Sequence, residues 1–128
     1  MSTTAATFLV ALFIAHFLGD FTPLATARMQ RAKANGGPMG PIAAHAMVHG
    51  VLVGLAVLIV LRPSLQIVAL AASLEFLAHF AIDATRARIG LRVQALRDPS
   101  SNPFWWALGL DQLLHGLVLI GIAILVLG

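Results

Sequence analysis

Apolar residues gather in four long runs, about 4–22, 42–61, 64–86 and 104–127, set apart by shorter polar stretches. Each run approaches the roughly 20 residues that a helix needs to cross a bilayer. None alternates apolar and polar positions over any length, and open sheet edges cannot sit in hydrocarbon, so the pattern predicts helices. The fold class expected is all-α: a four-helix transmembrane bundle forming one domain over 1–128.

The connections differ in kind. Only "RPS" separates the second and third runs, where Arg62 and Pro63 end one span and start the next. A longer stretch, "PLATARMQRAKANGGPMGP", joins the first two and closes on Gly and Pro punctuation. Between the third and fourth runs, Ile89, Val93 and Leu96 recur at helical spacing, which makes 86–97 a candidate helix lying in the interface.

Composition supports the membrane reading. The chain is 59% hydrophobic and 10% charged, against about 25% charged in soluble domains. Its eight basic residues outnumber five acids, but they fall between apolar runs. That placement suits interface anchors, whereas a nucleic-acid surface needs a continuous basic face. No cysteine is present, which removes disulfides, thiolate ligands and thiol nucleophiles. The N-terminus has no basic segment, and the run after it contains His16 and Asp20, so a cleaved signal peptide is not expected. The positive-inside rule puts both long loops in the cytoplasm and both termini outside. Trp105 and Trp106 fall where an aromatic belt would sit.

The candidate chemistry lies inside the spans. The first offers His16 and Asp20, the second His45 and His49, the third Glu75, His79 and Asp83, and the fourth Asp111 and His115. Within each span the groups are spaced i,i+4, so each helix presents them on one face. They include all five histidines and four of the five acids. Counted from the loop ends, all nine fall in one half of the membrane. Unpaired charges at that depth cost a few kcal/mol each, so the groups must satisfy one another, line water or bind something.

Imidazole and carboxylate donors on facing helices suit a divalent transition metal, Zn above all, with Fe and Mn as alternatives. Nine donors exceed the needs of one ion, so one or two ions are expected. His16, His49, His79 and Asp111 stand as inner ligands, and Glu75 or Asp83 as a general base. His115, Asp20 and His45 complete the set. The competing reading is a hydrogen-bonded polar network, with Asp20, Asp83 and His45 near enough to the interface to be simply solvated. Gln112 could orient a ligand or bond within the core, and Ser73 could bond its own helix. Arg28, Arg31, Lys33 and Arg86 read as topology anchors, or as receivers of an anionic head group at the mouth.

The segments "AHFLGDF", "HAMVH", "LAHFAIDATRARIG" and "LDQLLHG" resemble, in this order, the DUF3307 family of small bacterial membrane proteins. The resemblance covers nearly the whole chain. It implies a bacterial inner-membrane location and a site of His16, Asp20, His45, His49, His79, Asp83, Asp111, Gln112 and His115, without implying an activity. The family pattern has a glutamine soon after the DF pair; here the first is Gln30, to which no role is assigned. Glu75 lies outside the matched motifs.

The function expected is that of a metal-dependent membrane hydrolase acting on an amphiphilic or anionic lipid substrate at the inner leaflet. The alternatives are a proton or metal carrier or channel, a haem protein ligated by facing histidines such as His16 and His49, and a small accessory subunit. The bilayer is the expected partner, with a homo-oligomer as a further option and no nucleic acid.

Overall fold

The computed structural model describes residues 2–128, all helical elements and the turns between them. Helix α1 (Thr3–Phe21) starts where Ser2 accepts the Ala5 N–H and ends before Pro23. A short helix, α2 (Ala27–Asn35), is capped by Thr26 and closed by Gly36 in the left-handed region. Helix α3 (Met39–Leu61) leads through Arg62, whose N–H bonds back to Leu58 O, into α4 (Leu65–Arg92). A single 3-10 turn (Gln94–Arg97) then precedes α5 (Asn102–Leu127). Ser101 caps α5, and Pro103 occupies its first turn, where a missing N–H costs nothing. In the exposed turn before it, the Ser100 N–H and hydroxyl both donate to Asp98 Oδ1, which holds that carboxyl below its ordinary pKa.

Four of the helices, α1, α3, α4 and α5, are long and apolar enough to cross a membrane. They pack in the cyclic order α1, α3, α4, α5, with α3 and α4 in closest association. Gly50 makes that closeness possible: a Cβ there would lie 2.8 Å from the Ala72 carbonyl oxygen. Small residues let helix backbones approach where lipid offers no hydrophobic drive to pack.

The stretch 86–97, expected as an interfacial helix, divides in two. Residues 86–92 are the last turns of α4, and only 94–97 turn separately. Arg86 to Arg92 contains no strong breaker except Gly90 near its end, so the helix continues past the apolar boundary. At 28 residues α4 is about 42 Å long, beyond the roughly 30 Å of hydrocarbon, so its arginine-bearing end projects. Helix α2 lies in the stretch that the apolar pattern marks only as a connection. Its Thr26 cap and Gly36 stop are the local signals for it.

Two apolar cores bracket the middle of the bundle. At the end holding both termini, Phe8, Leu12, Val53, Val57, Ala71, Leu119, Ile122 and Ala123 form a closed core. At the opposite end, where the basic loops lie, Ala32 of α2 packs on Ile42 and Ala87. The polar groups are trapped between the two.

Candidate metal centre

All nine ionisable groups of the spans meet in one cluster. Eight of them, every one but Asp20, are at most 7% exposed, and the Asp20 side chain is 7% exposed. His45 and Asp83, which sequence position leaves open to solvation, are among the most buried, at 0% and 1%. They are closed off because α2 folds across the basic end of the bundle.

The imidazoles form the centre. The His49 and His79 rings stack with centroids 3.7 Å apart, and His79 lies 4.0 Å from His115. His45 sits 4.8 Å from His49, and His16 lies 5.1 Å from His49. His49 comes this close to α1 because residue 19 is glycine, and a Cβ there would fall 2.4 Å from the ring.

Two carboxylates gather these rings from the loop side. Asp20 Oδ1 accepts from His45 Nε2 at 2.9 Å and lies 3.3 Å from His49 Nε2, while Oδ2 accepts from Gln112 Nε2 at 3.3 Å. Asp83 lies 3.5 Å from His79 Nε2 and 3.6 Å from His115 Nε2. Deeper in, His79 Nδ1 donates to Glu75 Oε1 at 3.2 Å. Gln112, in addition to its Asp20 contact, accepts from His16 Nε2 at 3.2 Å.

The donor set fits a metal. Eleven buried nitrogen and oxygen atoms of these residues make no aligned hydrogen bond among the described residues, including both nitrogens of His49 and of His115, although one of them, Asp83 Oδ2, is paired with the Lys33 ammonium. Several approach a carboxylate but lie out of hydrogen-bonding alignment. Leaving a buried polar atom unsatisfied costs about 1–3 kcal/mol, and a bound ion would satisfy many of these at once. Three sets have ligand atoms within 4.8 Å of one another: His16, His49, Glu75 and His79; Asp20, His45, His49 and His79; and His79, Asp83 and His115. These buried groups could hold a metal ion. His79 is common to all three sets, and an imidazole has two nitrogens, so it can serve at most two ions.

Asp111 falls outside these sets. Its Oδ2 accepts from Arg86 Nη1 at 3.2 Å and from Gln112 Nε2 at 3.3 Å, and its Oδ1 is 3.9 Å from His115 Nε2.

A protein-family model described as "Protein of unknown function (DUF3307)" matches residues 8–128, which include every residue of the cluster. The chain belongs to the DUF3307 family. No curated protein and no solved structure matches it.

Two cations of this DUF3307 chain enter the site that sequence position alone marks as loop anchors. Lys33, on α2, places its Nζ 2.9 Å from Asp83 Oδ2 and 3.8 Å from Asp20 Oδ1. The same ammonium is 3.3 Å from His45 Nε2. Because that nitrogen already donates to Asp20 over the shorter distance, the carboxylates are what hold Lys33. Arg86 is the second cation, one turn beyond Asp83 on α4. Four buried acids in an apolar bundle require counter-charge, and Lys33 and Arg86 are the bases nearest in sequence to Asp20 and Asp83 that reach it; that requirement was the signal for them.

A cleft of about 1040 Å³ opens beside the cluster between α4 and α5, toward the basic end. Asp20, Gln30, Lys33, Asp83, Arg86, Asp111 and Gln112 are among its polar lining. Its walls are apolar, among them Ile82, Trp106, Leu110 and Leu114.

Proposed function

We propose that this protein is a metal-dependent hydrolase of the bacterial inner membrane, acting on an amphiphilic substrate at the inner leaflet. The observation that carries the reading is the sharing of residues between the candidate ligand sets and the cleft: Asp20 and Asp83 belong to both. A buried ligand set that borders a large apolar-walled cleft can receive a substrate with a greasy portion and a polar reacting group.

His16, His49, Glu75 and His79 would hold the first ion, Zn by the chemistry of three imidazoles and one carboxylate, with Fe or Mn as alternatives. Asp20 and His45 would serve a second ion or orient the ligands of the first. A divalent ion bound there supplies a Lewis acid that polarises an ester and acidifies water. Asp83 is the better placed of the two candidate bases, because it lines the cleft while Glu75 lies deeper, beside His79. Asp83 would take a proton from the attacking water, and His115, 3.6 Å away, would hold that carboxylate in place. Lys33 and Arg86 keep the carboxylates compensated.

Charge supports one orientation. Seven of the eight basic residues stand at the α2 end and only Arg62 at the other, which supports an orientation with the loops in the cytoplasm and the termini outside. A carrier would need a polar route through the other half, where Phe8, Leu12, Val53, Val57 and Leu119 are fully buried. For haem, the 5.1 Å between the His16 and His49 centroids leaves no slot for a macrocycle between them.

The test is turnover of a fluorogenic amphiphilic ester or phosphoester in detergent micelles. Hydrolysis is expected to stop on chelation and return with Zn, and Asp83→Asn should abolish it with metal retained. Hydrolysis that persists after complete metal removal would sink the reading.

A further inference from the structure

We propose that the α4–α5 cleft takes a membrane lipid with a phosphate-bearing head, entering sideways from the inner leaflet, with Lys33 and Arg86 receiving the phosphate. This deepens the hydrolase reading by naming its substrate class, and rests on that reading only for what happens after binding.

Three observations on one cleft point the same way. The first is orientation. Trp106, Leu110 and Leu114 are spaced i,i+4 on α5, are 72%, 56% and 40% exposed, and all line the cleft. They form a stripe about 12 Å long running from the basic end toward the middle of the span. A lipid of the nearer leaflet has the same polarity, with its head at the interface and its chain pointing inward.

The second is donor supply. Arg86 has five N–H donors, of which one is engaged, on Asp111. Lys33 and Arg86 are 15% and 29% exposed at the side chain, and both line the cleft, as does the more exposed Arg97. Arginine and lysine at such a mouth bind phosphate through charge-assisted hydrogen bonds.

The third is charge. The cluster holds four acids against Lys33 and Arg86, so with neutral histidines its formal charge is −2. One divalent ion cancels that excess, so that both cations stay paired with Asp83 and Asp111 while adding no unbalanced negative charge at the cleft. A phosphate head then meets cations at the floor of the cleft, and an apolar wall meets its chain.

The experiment uses Trp106 as the reporter. In the Trp105→Phe chain it is the sole tryptophan, and it lines the cleft. The protein is reconstituted into phosphatidylcholine vesicles that contain a small fraction of either brominated phosphatidic acid or brominated phosphatidylcholine. Quenching by the brominated phosphatidic acid is expected to be several-fold stronger. Arg86→Gln and Arg97→Gln should each reduce that preference by about fivefold, the effect of one basic charge near an anionic lipid. Arg88→Gln, on α4 but outside the cleft, should leave it. Using two variants guards against misfolding of the Arg86 one.

Equal quenching by both lipids would overturn the proposal. So would a loss in Arg88→Gln as large as in Arg97→Gln, which would mean surface charge alone. Abolition of the preference by inorganic phosphate in the buffer would assign the site to a free anion. Lipid preference without any hydrolysis would uphold this inference while the enzymatic reading fails, and hydrolysis of neutral amphiphiles without it would do the reverse.

Discussion

The imidazole of His49 packs against bare backbone at Gly19, in a space that any side chain would fill. A methyl at position 19 would fall 2.4 Å from both Cε1 and Nε2 of that ring. Gly19→Ala should therefore drive His49 out of the cluster while leaving α1 intact, since alanine favours a helix over glycine by about 1 kcal/mol. The expected result is a loss of metal affinity of about tenfold or more with unchanged helical content. Competition titration against a chromophoric chelator measures the first and circular dichroism the second.

Lys33 brings a cation to two buried carboxylates from outside the four spans. Lys33→Met should lower the stability of metal-free protein by about 3 kcal/mol, because Asp20 and Asp83 are left uncompensated in an apolar setting. Excess Zn should restore much of the loss, since an ion supplies the missing charge. Thermal melts in detergent with and without Zn check both halves of this expectation.

How far the site could be read from the chain is clearest in these two cases. The spans and their nine polar positions are legible because i,i+4 spacing puts groups on one face of a helix however the helices pack. The family motifs are legible for the same reason. Lys33 is not, because it depends on α2, a nine-residue helix that carries three bases and reads as loop. Arg86 closes the third run as read, but its pairing with Asp111 depends on how α4 packs against α5. Which member of "DQ" faces the histidines is also invisible to spacing: Gln112 bonds to His16 and Asp20, while Asp111 turns to Arg86.

That last arrangement separates Asp111 from the candidate ligands with which its spacing groups it. Asp111→Asn should change metal affinity by less than about fivefold, whereas His79→Ala, which removes the residue common to all three ligand sets, should cost at least about tenfold. Calorimetric titration of both variants gives the comparison.

Orientation can be tested without reference to activity. The chain has no cysteine, so Ser100→Cys, in the exposed turn before α5, supplies one thiol. In intact cells an impermeant maleimide should fail to label it, and should label it fully once the inner membrane is opened. Labelling in intact cells would invert the orientation argued from the seven loop-end bases.

The most direct test of a metal centre is elemental analysis of the protein purified without chelator or metal affinity resin. At least one transition-metal ion per chain is expected, Zn foremost, and the His49→Ala, His79→Ala double variant should lose it, because every ligand set contains one or both of these residues. Purified protein with no stoichiometric transition metal, or a double variant that keeps its full complement, would contradict the account.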